Sequence, residues 1–267
     1  MKYCVRYNRD FRYLKEVDEV IIEYKNKNGE LIRFMKTIPE QQRIIVKITD
    51  KKLDIDENIS IIAAAAKVHP NMAVSLPTVD VAFAKTLKEE NVPFFFDKFV
   101  NEWDTFISYI KLGVSDIYIV NELAFEMSEV SRICKEYNVF IRTFPNVAQM
   151  SNTTPNLNKL KSFFIRPEDI VTYEPYVDVC EFFGPMDRQS VLYEIYKNER
   201  WMGDLEELII GLNYSIPNQS IIPAFGEERL NCRKDCYRGK CIICDKIASI
   251  ANTLKKEGVE LRIRDKK

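Results

Sequence analysis

Four of the seven cysteines fall within thirteen residues, in the stretch LNCRKDCYRGKCIICDKIA at 230–248. They follow the spacing C-x₃-C-x₄-C-x₂-C and are Cys232, Cys236, Cys241 and Cys244. Thiolates are soft ligands that favour zinc or iron–sulfur clusters. One short loop that bears four of them can wrap a single ion or cluster. The sequence therefore predicts a soft-metal site. Residue chemistry alone does not decide between an iron–sulfur cluster and a structural zinc knuckle, and four free thiols are the third alternative.

Cations are interleaved with these thiols, at Arg233, Lys234, Arg238 and Lys240. Positive charge offsets the negative charge of a thiolate-ligated centre and lowers the pKa of the thiols. The spacing differs both from a zinc ribbon and from the ferredoxin run C-x₂-C-x₂-C-x₃-C. The composition of the segment indicates metal binding without selecting the metal.

A second group of candidate residues lies at or just past the ends of apolar runs. It comprises Glu23, Asp97, Asn121, Glu122, Arg142, Asn146, Gln149, Arg166 and Glu181. In a parallel barrel, residues at the carboxyl ends of the strands converge on one pocket. The alternative for each of them is a salt bridge at the rim of the barrel. The single histidine, His69, precedes Pro70 at a predicted helix end, which favours a structural role over catalysis.

Short apolar runs of strand length would have to position these side chains. The predicted strands are 3–8, 19–25, 43–48, 72–77, 92–99, 116–120, 139–145 and 177–183. The predicted helices between them are 56–70, 77–91 with Thr78 as N-cap, 101–113, 128–138 and 187–201. Strands that alternate with helices indicate βαβ units and a parallel sheet.

Eight such strands predict an α/β fold of the TIM-type (β/α)₈ barrel class, either complete or distorted. The irregular connections at 25–43 and 48–72 keep an open, doubly wound sheet as the alternative. No G-x-G-x-x-G follows the first strand, which argues against a dinucleotide-binding version. We expect the barrel to occupy 1–212, followed at 213–267 by an extension with the four-cysteine segment and a closing helix.

Composition narrows the class of protein. With 39 basic and 40 acidic residues the formal net charge is −1, which gives no electrostatic argument for bulk nucleic-acid binding. The charged N-terminal stretch MKYCVRYNRDFRYLKE does not predict a secretory signal, and no apolar run is long enough to cross a bilayer. We expect a soluble cytoplasmic protein, in which disulfides are rare.

The three remaining cysteines are predicted core residues. Cys4 and Cys134 lie on apolar faces, and Cys180 closes the predicted strand at 177–183. A lone buried cysteine usually behaves as a small hydrophobic residue. Cys180 also has a second interpretation, because the carboxyl end of a barrel strand lies on the functional face.

Two stretches resemble the collagenase-like peptidase family, peptidase family U thirty-two. They are GVSDIYIVNELAFEMSEVSRICKEYNVFIRTFPNVAQ at 113–149 and FFIRPEDIV to DLEELI at 163–209. The resemblance covers roughly residues 110 to 248 and implies a TIM-type barrel. Several relatives carry a four-cysteine 4Fe-4S cluster and support oxygen-independent hydroxylation of quinone precursors or RNA bases, and others are named peptidases. At 181–188 EFFGPMDR replaces the family's K-I-E-G-R, so peptidase activity is an alternative here.

The resemblance implies roles for the candidate residues. An iron–sulfur cluster on the four clustered cysteines would relay electrons in a redox modification of a small molecule or an RNA base. Arg142 and Arg166 would bind an anionic group in forked geometry, and Glu181 or Glu122 would be the acid or base. A barrel scaffold with structural zinc is the non-enzymatic alternative.

Overall fold

The computed structural model describes residues 1–7, 12–24, 30–49, 55–120, 123, 126–148, 164–212, 216–221, 223 and 225–231. The chain divides into two compact units of interleaved segments. The first, the sheet unit, comprises Met1–Ile119, Val130–Thr143 and Val177–Glu181. The second unit comprises Val120–Glu129, Phe144–Tyr176 and Phe182–Lys267. Most of the extension predicted at 213–267 lies outside the described residues.

One parallel sheet forms the core of the sheet unit. Its nine described strands are β1 (Lys2–Arg6), β2 (Glu19–Tyr24), β3 (Arg43–Ile48), β4 (Met72–Leu76), β5 (Phe94–Phe96), β6 (Phe99–Val100), β7 (Asp116–Ile119), β8 (Phe140–Thr143) and β9 (Val179–Glu181). They pair in the order β5-β4-β3-β2-β1-β9-β8-β7-β6. Every ladder is parallel. The parallel α/β class and all eight predicted strand positions are confirmed, with the predicted strand 92–99 divided into β5 and β6.

The sheet curls. Its two outermost strands, β5 and β6, come from one stretch of chain, separated only by Asp97 and Lys98. At the start of this stretch, the backbone N–H of Ser115 donates to the carbonyl of Phe94 at 2.7 Å, which ties the entry of β7 to β5. The strand that ends one side of the pairing order therefore continues into the strand that ends the other side.

The concave face of the curl is identified by a contact across it. Arg43 on β3 and Asp116 on β7 have four strands between them in the pairing order, yet their side chains are bonded at 2.6 Å. Because side chains alternate between faces along a strand, the register places Cys4, Glu19 and Glu181 on this same concave face. The convex face carries the residues that alternate with them, such as the ladder partners Val20 and Ile44.

The predicted helices are present with shifts of a few residues. The described helices are α1 (Glu30–Met35), α2 (Ile55–Val68), α3 (Val81–Glu89), α4 (Trp103–Leu112), α5 (Met127–Glu136), α6 (Ile170–Tyr173), α7 (Met186–Lys197), α8 (Leu205–Leu208) and α9 (Phe225–Leu230). The N-cap of α3 is Asp80, whose carboxylate accepts the N–H of Phe83 at 3.0 Å, so the prediction of Thr78 was wrong. Gly113 follows the last residue of α4 at a φ of 81°. None of these helices has the length and apolar composition required to cross a bilayer.

In the second unit, α9 packs against the segment that begins α6. The backbone N–H of Gly226 donates to Asp169 at 3.2 Å, and Arg229 donates to the carbonyl of Phe164 at 3.1 Å. A Cβ on Gly226 would approach the Asp169 side chain to 2.8 Å. Glycine is therefore required for this close approach.

Candidate functional site

A network of buried charges lies on the concave face and joins the first residues of β2, β3 and β7 to later residues of β8 and β9. Nη1 of Arg142, a residue with no exposed surface, donates to Glu19 at 2.7 Å and to Asp116 at 3.0 Å. Arg43 bonds Asp116 through two parallel contacts of 2.7 and 2.6 Å and also reaches Glu19 at 3.2 Å. Nη2 of Arg142 lies 3.5 Å from Glu181. This arrangement joins residues of β2, β3, β7, β8 and β9.

The charges of the network identify the carboxyl group that takes up a proton. Two guanidinium groups, of Arg43 and Arg142, are shared among three carboxyl groups. Burial opposes ionisation of Asp116, but Arg43 and Arg142 outweigh it and lower the pKa of Asp116. At Glu181 burial dominates and raises the pKa, although Arg142 and Tyr118 oppose the shift. Glu181 is therefore the member of the network that most readily becomes neutral.

Among the described residues, the hydrogen bonds to Glu181 reach only one of its two carboxyl oxygens. The phenol of Tyr118 donates to Oε2, and Arg142 approaches the same oxygen. Burial and the neighbouring Glu181 raise the pKa of Tyr118 well above its usual value, so this phenol keeps its proton. Oε1 is accordingly the atom through which Glu181 can exchange a proton with a bound molecule. A carboxyl group with a raised pKa and a fixed orientation has the properties of a general acid or base.

Polar side chains near the carboxyl ends of β3 and β5 act on Glu181 electrostatically. Lys47 near the end of β3 forms an ion pair with Asp97 at 2.7 Å, and these side chains are 20% and 26% exposed. Phe99 is half exposed, and its ring meets the ring of Tyr118 edge-on at 5.9 Å. Ligands of parallel α/β proteins bind outside the carboxyl ends of the strands. We call Lys47, Ser75, Asp97, Phe99, Tyr118 and Glu181 the carboxyl-edge site.

The three cysteines that the structure describes are core residues, as predicted. Cys4, Cys134 and Cys180 are all buried. Burial raises the pKa of each thiol, to about 12 for Cys134. A thiol with such a pKa remains protonated and is a poor nucleophile. None of the three has the properties of a reactive cysteine.

The structure brings together two of the predicted catalytic residues, Arg142 and Glu181. Arg166 belongs to the second unit, where Nε and Nη2 donate to Asp169 at 2.7 and 2.8 Å. Arg142 and Arg166 were both expected to bind an external anion. Their guanidinium groups instead bond to carboxylates of the chain itself. Glu122 and the four clustered cysteines lie outside the described residues. In the described part of the chain, no group of three or more His, Cys, Asp or Glu side chains is arranged to hold a metal ion.

Sequence reasoning missed three members of the network because it considered the ends of strands. Glu19, Arg43 and Asp116 each open a strand, in EVIIEY, RIIVKI and DIYI. A charged residue at the start of an otherwise apolar run was the available signal. Once the strands are known to curl, such residues of opposite sign are candidates for pairing across the concave face.

Comparison with known proteins gives a partial relationship. No family model matches the sequence. A protein named as an uncharacterized protease from Methanocaldococcus jannaschii is 34% identical over 104 residues, which are 36% of this chain and 30% of that protein. The match thus spans less than a third of the relative's length.

Two solved structures resemble the fold at low sequence identity. RipC from Yersinia pestis is 9% identical with a TM-score of 0.41, over 73% of this chain and 94% of that one. Thiamine phosphate pyrophosphorylase from Pyrococcus furiosus is 11% identical with a TM-score of 0.40, over 78% and 96%.

Proposed function

We propose that this chain is an enzyme of the collagenase-like peptidase superfamily in which Glu181 transfers a proton at the carboxyl-edge site. The observation that carries the proposal is the environment of Glu181. It is a buried carboxyl group with a raised pKa, held by Tyr118 and Arg142 at the carboxyl end of β9. Perturbed carboxyl groups of this kind concentrate at catalytic sites.

The scaffold of the proposed enzyme is an eight-stranded parallel barrel. The pairing order supports it if Phe94–Val100 counts as a single strand that pairs with β4 through its first part and with β7 through its second. The bond from Ser115 to Phe94 supports closure at the same place. In such barrels catalytic residues lie at the carboxyl ends of the strands, where Glu181 lies.

Glu181, Arg142 and Tyr118 have different roles in the proposed proton transfer. Glu181 donates its proton from Oε1 to a substrate atom that develops negative charge. Arg142 and the Tyr118 phenol then stabilise the carboxylate through Oε2. Phe99 offers an exposed ring beside them. Glu122 stays a second candidate for the acid or base.

The proposed cofactor is a 4Fe-4S cluster on Cys232, Cys236, Cys241 and Cys244. Four thiolates with cations interleaved are a donor set that fits such a cluster. When bound, it supplies one-electron chemistry for a redox modification, such as oxygen-independent hydroxylation of a small molecule or an RNA base. Structural zinc on the same thiols is the alternative.

Metal analysis of protein purified without oxygen tests the cofactor. We expect iron and sulfide in the protein and broad absorption near about 400 nm from thiolate-to-iron charge transfer. Cys241→Ser should lose the metal, whereas Cys134→Ala, which alters a buried core thiol, should keep it. Zinc in place of iron, with unfolding on chelation, would favour the scaffold interpretation.

Comparison of Glu181→Gln with wild type tests the enzyme. Both proteins are incubated without O₂ with a metabolite extract, alone or together with total RNA, so that the extract supplies the oxygen donor and the two-electron acceptor that hydroxylation consumes. Products are identified by mass spectrometry. We expect products one oxygen atom heavier with wild type and none with Glu181→Gln at equal metal content. Equal products from both proteins would remove Glu181 from the chemistry.

Peptidase activity is the second candidate, and the relative named as a protease supports it. Hydrolysis of labelled casein by wild type, with loss in Glu181→Gln, would favour it over redox chemistry. The same pair of proteins therefore discriminates between the two activities.

A further inference from the structure

Lys47 supplies a positive charge that a bound molecule can reach. It lies on the concave face of β3, and its ion pair with Asp97 is the contact described above at 2.7 Å. An ion pair that is about a fifth to a quarter exposed is desolvated in part, so its charge is less screened than that of a surface lysine. An anion that enters the site can compete with Asp97 for this ammonium group.

Ser75 supplies a hydroxyl group beside Lys47. The two residues are direct partners in the ladder between β3 and β4, so their side chains lie on the same face. Ser75 is 2% exposed, and its Oγ has no hydrogen-bond partner among the described residues. A buried hydroxyl left without a partner costs about 1–3 kcal/mol. A bound acceptor would remove that cost.

Glu181 supplies the third donor when it is neutral. The charges around it are Arg142, Lys47 and Asp97, with the phenol of Tyr118 and the thiol of Cys4 also in reach. Lys47 lowers the pKa of Glu181 and Asp97 raises it, so the ion pair and the carboxyl group act on one another electrostatically. An ammonium, a hydroxyl and a protonated carboxyl group on the same face are all donors.

We propose that Lys47 and Ser75 form an oxyanion subsite beside Glu181, so that the substrate carries a carboxylate or phosphate next to the group that exchanges the proton. This inference rests on the proposed function and names the substrate class. The subsite should bind an anion because it contains several hydrogen-bond donors. Among the described residues, Asp97 is the acceptor that Lys47 contacts. A substrate oxyanion takes the place of Asp97, whose carboxylate is then released toward solvent.

Inorganic phosphate and acetate are the probes, because neither needs a turnover assay. The full-length protein is labelled with ¹³C at the glutamate carboxyl groups, and Glu181→Gln assigns the Glu181 signal. The pKa of Glu181 is then followed as each anion is added. We expect the pKa to rise as the anion binds, because only the neutral carboxyl group of Glu181 can donate a hydrogen bond to the anion. The probe that acts at the lower concentration identifies the preferred oxyanion.

Matched variants assign the response. Lys47→Met should abolish it, whereas Lys98→Met, which removes an exposed lysine next to Asp97, should respond as wild type does. Asp97→Asn should bind the anion roughly tenfold more tightly, a gain equivalent to about 1.4 kcal/mol, because Lys47 loses its competing partner. Ser75→Ala should bind the anion more weakly, although the unliganded variant should be at least as stable as wild type because it lacks the unpartnered buried hydroxyl.

An unchanged response in Lys47→Met would overturn the subsite, as would weaker anion binding in Asp97→Asn. These outcomes are separate from those of the proposed function. Loss of phosphate binding in Lys47→Met together with full activity of Glu181→Gln would keep the subsite and reject the catalytic role. Activity that depends on Glu181, with no anion response in wild type, would keep the catalytic role and reject the subsite.

Discussion

Arg142 is fully buried, and its guanidinium compensates the charge of carboxyl groups that have no access to water. Replacement by methionine would leave Glu19 and Asp116 with Arg43 as their partner. Removing one side of a buried ion pair costs about 3–5 kcal/mol, because the remaining charge is desolvated without a counter-charge. We therefore expect Arg142→Met to lower the free energy of unfolding by about that amount in urea titrations.

The matched control is Arg132→Met. Arg132 contacts Glu136 at 3.5 Å on the surface of α5, with side chains 61% and 59% exposed. A pair of this kind contributes less than about 0.5 kcal/mol because water and salt screen it. Equal losses in the two variants would mean that the network on the concave face adds no net stability.

Which residues pair could not be predicted from the sequence. Arg142 and Glu181 were found because each lies at the end of an apolar run, but Arg142 was expected to bind an external anion. Its bonds to Glu19 and Asp116 depend on the register of strands that lie far apart in the chain. Register and curl are decided by the packing of the entire sheet, which no local pattern encodes.

At the scale of the element, α3 depends on its first residue. The carboxylate of Asp80 accepts the N–H of Phe83, one of the amide groups that the helix itself cannot satisfy. Asp80→Ala should destabilise the protein by about 1 kcal/mol, measured by urea unfolding. Asp80→Asn should cost far less, since asparagine caps as well as aspartate. Equal losses from the two substitutions would assign the effect to charge and not to the hydrogen bond.

The strands and long helices were predictable because their signals are local. Each strand is a short, nearly continuous apolar run, as expected of parallel strands covered on both faces. The short helices α1, α6, α8 and α9 have four to six residues. That length is under two turns, so no helical period develops. The break between β5 and β6 was missed because Asp97 and Lys98 interrupt the ladder without a glycine or proline.

At the scale of the whole molecule, Glu181 links stability to pH. Burial raises its pKa above the value of about 4.3 in an unfolded chain. Between the two pKa values the folded state keeps a proton that the unfolded state releases. The stability from neutral Glu181 is complete below the unfolded pKa and is lost as the pH rises through the folded pKa.

Glutamine at this position imitates the neutral carboxyl group at every pH. Relative to wild type, Glu181→Gln should therefore gain stability as the pH rises, by at most about 1.4 kcal/mol per pH unit across the interval between the two pKa values. Urea unfolding at several pH values measures the difference. A difference that stays constant with pH for Glu181→Gln would contradict the raised pKa.

The bond between Arg43 and Asp116 also constrains how the sequence can change. These residues are 73 positions apart, and each neutralises the other where water does not reach. A substitution at one position is tolerated only together with a compensating substitution at the other. Among homologues, the two positions should therefore vary as a pair, and a lineage that loses both charges together should keep the fold.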